Sequence, residues 1–330
     1  MPSALIRACA LAAIALVTAL GQPAVAQTIR VERLVDGPII RPEMDGSMGS
    51  NIAGPSLIRV PDWIENPLGR YYLYFADHRG TYIRLAYANT LIGPWTTYEP
   101  GTLQLDQSHF PTTCPPCSSP AYPAGAYIHI ASPDVHVRDA QREIVMYVHG
   151  RDVGRQVTRL AVSTDGLHFA GRPEVLGRPY FRAFRHEGFV YALAMPGVMY
   201  RSRDGMTGFE EGPGLFNPDM RHSALLKRGT ELVVFWTERG DAPERILATT
   251  IDLTADWRSW TAAPPVEVLR PERPWEGADL PVEPSRSGSI DTPVNQLRDP
   301  AIFEEDGRVF LLYAAAGERG IGLAEVHIEP

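Results

Sequence analysis

The sequence predicts an all-β protein, a five-bladed β-propeller, from three observations. One phrase recurs about five times: a polar start, an apolar strand, an aromatic strand and a tight hairpin rich in charged residues. Thirty prolines and 29 glycines separate short segments that alternate in polarity or are β-branched and aromatic, which favours strands over helices. The copies lie roughly 60 residues apart, so each copy makes one blade whose apolar faces are covered by its neighbours.

The five copies share the order of their elements and differ mainly in the hairpin. The segment Ile29–Ile40 has no copy of its own and is predicted to add an outer strand to the last blade, closing the ring. A two-sheet sandwich, the alternative fold, does not account for five equivalent charged hairpins. The copies are GPSLIRV…YYLYFADHRG (54–80), SPDVHV…IVMYVHGRD (132–152), RPYFRAF…FVYALAMPG (178–197), RHSALL…LVVFWTERGD (221–241) and RDPAIF…VFLLYAAAGERG (298–320).

Residues 1–26 are predicted to be a secretory signal peptide. Arg7 carries a single positive charge, Ala8–Leu20 is continuously apolar, and small residues precede Gln27. The apolar run is short for a membrane span, and an uncleaved anchor is the alternative. We therefore expect an exported protein, periplasmic or secreted, with no membrane association after cleavage.

The rest of the chain, residues 27–330, is predicted to be one propeller domain and a monomer. Two stretches rich in Pro, Ser and Gly, at about 99–127 and 262–297, are interpreted as insertions over its surface. The net charge of −8 argues against a nucleic-acid partner. Cys114 and Cys117 lie among prolines and serines, and in an exported protein this spacing favours a local disulfide.

The connectivity of a propeller predicts where its functional site lies. Successive strands of a blade are antiparallel, so the starts of the inner strands share one face with the hairpins between second and third strands. Both positions carry polar residues in several copies, which predicts one polar funnel. Starts of inner strands include Asn51, His129, Ser132, Asp134, Arg221, His222, Arg298 and Asp299. Hairpins include Asp77, His78, Arg79, His149, Arg151, Asp152, Glu238, Arg239, Asp241, Glu244, Arg245, Glu318 and Arg319.

The phrases GPSLIRV…GRYYLYFADHRGTYIRLAYANTLIGPW and RDPAIFEEDGRVFLLYAAAGERGIGLAEV resemble blades of the arabinanase- and xylosidase-type glycoside hydrolases of family 43. The resemblance spans residues 27–330 and implies a carbohydrate substrate. It also implies three carboxylates, acting as base, acid and pKa modulator, just before the proline of the first three inner strands. Those places hold Gly54, Ser132 and Gly177 here, and only Asp299 keeps an Asp-Pro pair. The usual triad is therefore not matched.

Other funnel residues are candidates for the chemistry. Glycoside hydrolysis normally needs two carboxyl groups, and histidine can transfer protons near neutral pH. The structural alternative is that Asp241 and Glu244 pair with nearby arginines and that Asp299 binds backbone amides. The predicted catalytic residues are His78, His149, His222, Glu238, Glu244 and Asp299.

A second set of residues is predicted to bind the substrate. Its arginines indicate an acidic sugar such as a uronate, because a planar guanidinium suits carboxylate or sulfate. The alternative is that they only neutralise neighbouring Asp and Glu. Trp275 is predicted to be a stacking platform in an insertion that covers the funnel. The set comprises Asn51, Asp77, Asp134, Arg151, Arg221, Arg239, Arg245 and Trp275.

The sequence requires no cofactor. The histidines form no recurring HxH or HxxxH pair with flanking carboxylates, so zinc is not favoured. A calcium ion in the central channel would need oxygen ligands and stays open.

Three functions are consistent with these residues. The leading hypothesis is an exported glycoside hydrolase that acts on a plant- or microbe-derived polysaccharide or oligosaccharide. The second is a histidine-dependent lyase acting on a uronic-acid glycan, whose unsaturated products absorb in the ultraviolet. The third is a propeller that binds carbohydrate without turnover.

Overall fold

The computed structural model describes residues 28–114 and 127–329, which form five antiparallel sheets of four strands each. The sheets are the blades of a five-bladed β-propeller, so the predicted fold class is confirmed. The predicted signal peptide and Cys117 lie outside the described residues, and export and the disulfide of Cys114 stay predictions. No helix in the two described ranges is long and apolar enough to span a membrane.

Each of blades I to IV consists of four consecutive strands that run from the central channel outward, whereas blade V takes its outer strand from the N-terminal end. Blade I consists of β2 (Ala53–Arg59), β3 (Tyr71–Ala76), β4 (Tyr82–Ala88) and β5 (Thr96–Gln104), and blade II of β6 (Ile130–Arg138), β7 (Glu143–Asp152), β8 (Arg155–Ser163) and β9 (Ala170–Gly171). Blade III consists of β10 (Arg182–His186), β11 (Phe189–Ala194), β12 (Val198–Ser202) and β13 (Glu210–Gly214), and blade IV of β14 (Met220–Arg228), β15 (Glu231–Glu238), β16 (Ile246–Asp252) and β17 (Val266–Leu269). Blade V consists of β18 (Arg298–Glu305), β19 (Arg308–Ala314), β20 (Ile321–Glu329) and the first strand of the chain, β1 (Thr28–Arg33).

The ring is closed by the pairing of the first strand with the last. Strand β1 runs antiparallel to β20, with Ile29 opposite Ile328 and Val31 opposite Val326. This pairing confirms the outer strand predicted from the Ile29–Ile40 segment. It joins the two ends of the domain, so blade V is completed only when both ends of the chain are in place.

The core lies between the blades. Every residue of β3 is buried, because both faces of a middle strand are covered by neighbouring blades. Five hydrophobic clusters among the described residues each combine side chains of two adjacent blades. Phe75 of blade I, for example, shares a cluster with Phe310 of blade V. The aromatic second strands of the repeat are therefore explained by packing between blades.

The outer strands extend into both predicted insertions. Strand β5 continues to Gln104, and β17 lies within the second Pro-rich stretch. Proline is tolerated on an edge strand, which needs fewer ladder hydrogen bonds, so composition alone placed the insertion boundaries too early. The second insertion then returns over the channel, where residues 285–290 contact the hairpins of blades IV and V.

Candidate functional site

A cavity of about 350 Å³, here called the funnel cavity, opens on the face that carries the starts of the inner strands. Its size is in the range of small-molecule sites. The hairpins and inner strands of several blades supply its polar wall, as the connectivity predicted. The wall includes His78, Tyr127, Arg151, Tyr180, Asp219, Arg221, His222 and Arg239.

The inner strands of blades I, II and V each have a residue in the left-handed backbone region near their start. Gly54, Ser132 and Asp299 have φ values of 62°, 48° and 46°, and each precedes a proline at an irregularity in strand pairing. Tyr180 of blade III has a φ of 65° but follows its proline. A bulky residue rarely adopts this conformation, which costs roughly 1–3 kcal/mol and is often retained at functional sites. Tyr180 is therefore a functional candidate that the sequence did not indicate.

The position assigned to Gly177 by the sequence is wrong. Gly177 forms an isolated bridge with Thr158, and a Cβ at Gly177 would lie 2.8 Å from the Phe181 ring. Gly177 packs against the Phe181 ring and does not line the funnel cavity, whereas Tyr180 does. The error arose because the proline precedes the left-handed residue in blade III, whereas it follows that residue in blades I, II and V.

Gly54 has no room for a carboxylate. A Cβ at Gly54 would lie 2.8 Å from the Cα atom of Ser132 and 2.9 Å from its Oγ atom. A contact that close to backbone cannot be relieved by rotating a side chain. The family 43 carboxylate of the first blade is thus excluded by packing as well as by residue type.

Gly54→Ala is expected to lower the free energy of unfolding by at least about 2 kcal/mol, because backbone strain and overpacking add. Gly188→Ala is the matched control: Gly188 also has a positive φ, 77°, but a Cβ there meets nothing within 4 Å. Urea unfolding of both variants measures the difference. Equal losses in the two variants would contradict the crowding at Gly54.

Two histidines on the cavity wall are each backed by a carboxylate. Nδ1 of His78 lies 3.0 Å from Oε1 of Glu318, and Nδ1 of His222 lies 2.9 Å from Oδ1 of Asp299. Both carboxylates are almost fully buried. Since Nδ1 of each ring faces its carboxylate, Nε2 is the nitrogen that a bound molecule can engage. The hydrogen bond from His78 to Glu318 fixes the tautomer of the neutral His78 ring, whereas His222 and Asp299 are close but not aligned for a hydrogen bond and interact through charge.

The charges of these pairs follow from their surroundings. Burial opposes ionisation of Asp299, but His222, His78 and Arg221 outweigh it and hold the pKa of this carboxyl well below its usual range. Burial likewise opposes ionisation of Glu318, yet His78 and Arg298 lower its pKa to about 2. Burial lowers the pKa of His222, and Asp299 offsets only part of this effect. His222 is therefore a neutral base at neutral pH.

Beneath the cavity lies a buried charge network formed by Arg221, Glu244, Arg298 and Glu318. Oε2 of Glu244 lies 3.0 Å from Nη1 of Arg221 and 3.2 Å from Nε of Arg298. Arg298 also lies 3.1 Å from Glu318, which joins the network to His78. Arg298 and Glu244 are fully buried. Glu244, predicted as an acid or base, is thus enclosed between two guanidiniums and does not reach the wall.

Five aromatic rings follow one another around the channel, from His78 through His129, His149 and Tyr180 to His222. Ring centroids are 6.5 Å apart for His78 and His129, and 5.4 Å apart for His129 and His149. His149 stacks on Tyr180 at 3.9 Å, and Tyr180 lies 5.0 Å from His222. His149, also predicted as catalytic, supports Tyr180 from a buried position.

Burial is the main cause of the lowered pKa values of the two inner histidines, His129 and His149. It lowers the pKa of His129 to about 4, with a further contribution from His78. Burial and the neighbouring histidines also lower the pKa of His149 well below its usual value. In the unfolded chain these rings take up protons below about pH 6.5, whereas in the folded protein they stay neutral to a lower pH. The folded state is therefore at its most stable, with respect to these two rings, above about pH 6.5. The stabilisation declines as the pH falls from about 6.5 toward 4, by about 1.4 kcal/mol per pH unit for each ring.

His149→Gln is expected to reduce this pH dependence, because one depressed histidine is removed. Urea unfolding at about pH 7.5 and about pH 5 isolates histidine titration from that of the carboxylates. The control His168→Gln removes an exposed ring that lies 2.7 Å from Asp165. A pH dependence unchanged by His149→Gln would contradict the depressed pKa of His149.

Two predicted substrate-binding residues support the hairpins from within. Asn51 donates to Oε2 of Glu318 at 2.6 Å and accepts from the backbone N–H of His78 at 2.9 Å, so it positions the first histidine pair. Asp77 accepts from the N–H of Arg79 and lies 3.4 Å from Arg84. The structure thus assigns Asp77 to the hairpin turn, and Asp77 is not part of the cavity wall.

Two hairpin residues of blade IV, Glu238 and Arg245, do not line the funnel cavity. Glu238 accepts from the side-chain amide of Asn217 at the rim. Arg245 lies 3.0 Å from Asp241 and 2.8 Å from Glu267 of the outer strand β17. The predictions for Glu238 and Arg245 are corrected accordingly. Glu244 and Arg245 are consecutive residues just before β16, and their side chains pair with different parts of the protein.

Trp275 is not a platform in the funnel cavity. Its ring is partly buried against the core between blades IV and V, 6.3 Å from Tyr313. The neighbouring Glu276 is fully buried, accepts from the Tyr313 hydroxyl and pairs with Arg33 of β1. This part of the insertion therefore stabilises blade V.

Asp134 lies in a separate cavity of about 280 Å³ along the channel, here called the lower cavity. Asp134 lies 2.7 Å from Nε2 of His136 and accepts from the backbone N–H of Ala183. Arg182, which also lines the lower cavity, donates to backbone carbonyls of blades II and IV. The prediction that Asp134 belongs to the funnel is wrong, because Asp134 lies two positions further along the inner strand than Ser132 and lines the lower cavity instead.

The described residues contain no group of three or more His, Cys, Asp or Glu side chains arranged to hold a metal ion. The buried carboxylates Glu244, Glu318 and Asp299 each lie within 3.2 Å of a guanidinium or imidazole group. These residues do not fit an oxygen-ligated calcium ion, which needs six to eight free oxygen ligands.

The sequence missed the two tyrosines of the wall, Tyr127 and Tyr180. Tyr127 ends the first Pro-rich stretch, and Arg79 stacks on its ring with 5.3 Å to the centroid. The sequence predicted Glu318 and Arg298 as funnel residues but assigned neither of them a catalytic or binding function. The run AAAGERG, with a charged pair where the first two copies have histidine, was the available signal for Glu318.

The fold defines the class of protein to which this chain is similar. It superimposes on a family 43 β-xylosidase/α-arabinofuranosidase from a compost microbial metagenome, with a TM-score of 0.55 and 14% identity, over 90% of this chain and 94% of that one. A family 43 enzyme from Xanthomonas citri gives a TM-score of 0.55 and 12% identity, over 88% and 90% of the two chains. The chain thus has the five-bladed propeller fold of the family 43 glycoside hydrolases, at low sequence identity.

A nearer relative is viral. The chain is 38% identical over 307 residues to an uncharacterised protein of Acanthamoeba polyphaga mimivirus, over 84% of this chain and 83% of the viral protein. The chain belongs to the same family as this viral protein. A comparison with protein-family models found no match.

Proposed function

We propose that this protein is a carbohydrate-active enzyme that cleaves glycosidic bonds in the funnel cavity, as a glycoside hydrolase. The observation that carries the proposal is the presence of two histidine–carboxylate pairs, His78–Glu318 and His222–Asp299, on one cavity wall. The shared fold with family 43 enzymes supports a glycan as substrate. The proposal also includes export to the periplasm or the medium.

In the proposed reaction, neutral His222 takes a proton from a water molecule while the water oxygen attacks the anomeric carbon. The bond from that carbon to the leaving oxygen breaks, and protonated His78 donates its proton to the leaving oxygen. Asp299 and Glu318 lie next to the two rings, where each carboxylate can stabilise an imidazolium during the reaction. Solvent then restores both rings.

The departure from the family 43 carboxylates supports this assignment. Gly54 and Ser132 offer no acidic group, and Glu244 is enclosed in the buried charge network. Among the described residues of the wall, the two histidines are the groups suited to transfer protons near neutral pH.

A uronate lyase is the second candidate, favoured by the same use of histidine as base. There His222 would remove the C5 proton of a uronate, the bond from C4 to the bridging oxygen would break, and His78 would protonate that oxygen. The product would carry a C4–C5 double bond. Hydrolysis leaves no such bond, so ultraviolet absorbance separates the two reactions.

Purified protein should be incubated with neutral and uronic-acid-containing glycans and assayed for reducing ends and for ultraviolet absorbance. New reducing ends without absorbance are the expected result, and their formation with absorbance would favour the lyase. Binding of a glycan with no cleavage product in either assay would overturn the enzymatic proposal and leave a binding propeller.

A further inference from the structure

Among the described residues of the funnel cavity, one arginine has no carboxylate partner. Arg221 lies 3.0 Å from Glu244, and Arg239 pairs with Asp219 at the rim. Arg151 has no carboxylate within ion-pair distance among the described residues, and its Nε atom is buried without a hydrogen-bond partner. The cavity therefore presents one guanidinium whose charge is not balanced locally.

The remainder of the chain cannot supply the missing partner from a side chain. Residues 1–27 and 115–126 contain no Asp or Glu. The carboxylate on the described cavity wall, Asp219, is already paired with Arg239. The buried carboxylates Glu244 and Glu318 are held by Arg298 beneath the cavity.

Arg151 is placed to meet a ligand. It stands at the end of β7, where its backbone pairs with that of Gln156, and its half-buried side chain lines the cavity. Tyr127 lies close enough for Arg151 to lower its pKa, although burial raises this pKa overall. A half-buried guanidinium beside an aromatic ring is a common arrangement for binding a planar or tetrahedral anion.

We propose that the funnel cavity selects an acidic sugar, and that Arg151 binds its anionic group. The shared chemistry is an anion on a sugar ring, which is either the carboxylate of a uronate or a sulfate ester. The rings of Tyr127 and Tyr180 provide surfaces for the sugar, and His78 and His222 contact its polar groups. This inference rests on the proposed function in assuming that the ligand is a carbohydrate.

The test is a binding measurement that does not depend on turnover. Titration calorimetry compares oligomers of glucuronate or galacturonate, their neutral counterparts, and a sulfated sugar of matched length. Wild type should bind an acidic ligand about 10- to 100-fold more tightly than the neutral one, as expected for a hydrogen-bonded charge pair. The carboxylate and sulfate ligands distinguish the two sources of the anion.

Arg151→Gln should remove this preference, whereas Arg308→Gln removes an exposed cation that pairs with Glu325 outside the funnel cavity and should retain it. Arg151→Lys keeps the charge without the planar fork and should retain part of the preference, which covers the case in which Arg151→Gln does not fold. Equal binding of acidic and neutral ligands by wild type, or an unchanged preference in folded Arg151→Gln, would overturn the inference.

The outcomes separate this inference from the proposed function. Tight, Arg151-dependent binding of an acidic sugar without cleavage would support the inference and contradict the enzymatic proposal. Cleavage of neutral glycans with no preference for acidic ones would support the enzymatic proposal and overturn the inference about Arg151.

Discussion

His222→Gln is expected to lower kcat/KM for glycan cleavage by about 100- to 10,000-fold, the contribution of a positioned general base. Glutamine retains a polar group near the position of Nε2 but cannot accept and release a proton at neutral pH. His222 lines the funnel cavity, and its Nδ1 atom lies 2.9 Å from the buried Asp299. Reducing-end assays on wild type and variant measure the loss.

The matched control is His168→Gln, which breaks an exposed histidine–aspartate pair with a separation of 2.7 Å. It should leave kcat/KM unchanged. His78→Gln tests the second wall histidine independently if His222→Gln does not fold. A folded His222→Gln protein with wild-type activity would show that the base is elsewhere.

Glu244→Gln is expected to destabilise the protein by about 3–5 kcal/mol, because it leaves two buried guanidiniums without their shared counter-charge. Arg221 and Arg298 both lie within 3.2 Å of Glu244, and Arg298 is fully buried. Domains are stable by only about 5–15 kcal/mol in total, so this loss is a large fraction of the whole. Urea unfolding at neutral pH is the measurement.

Glu304→Gln provides the control for a carboxylate on the surface. Glu304 pairs with Arg228, and both side chains are more than 40% exposed. Exposed pairs contribute at most about 1 kcal/mol, so this variant should unfold close to wild type. Similar stabilities of the two variants would mean that Glu244 does not balance the buried guanidiniums.

The fold could be predicted from the sequence because each repeat carries the same local signals. The order of an apolar strand, an aromatic strand and a charged hairpin determines a blade, and the number of copies determines the ring. The face that holds the site follows from antiparallel connectivity alone. His78 and His222 were located in this way before any contact was known.

The direction of individual side chains could not be predicted so well. Glu244 and Arg245 are neighbours in sequence, yet one enters the buried network and the other pairs with an outer strand. Tyr180 was missed because its proline precedes the left-handed residue. Trp275 was misassigned because an insertion rich in proline gives no periodicity from which burial can be inferred.

A crystal structure of His222→Gln with a bound acidic oligosaccharide would show whether the scissile bond lies between the two histidines of the funnel cavity. We predict a glycosidic oxygen within about 3.2 Å of Nε2 of His78, in the funnel cavity, with the acidic group on Arg151. A sugar bound in the lower cavity beside Asp134 and His136, or on the outer strands of the blades, would contradict the account.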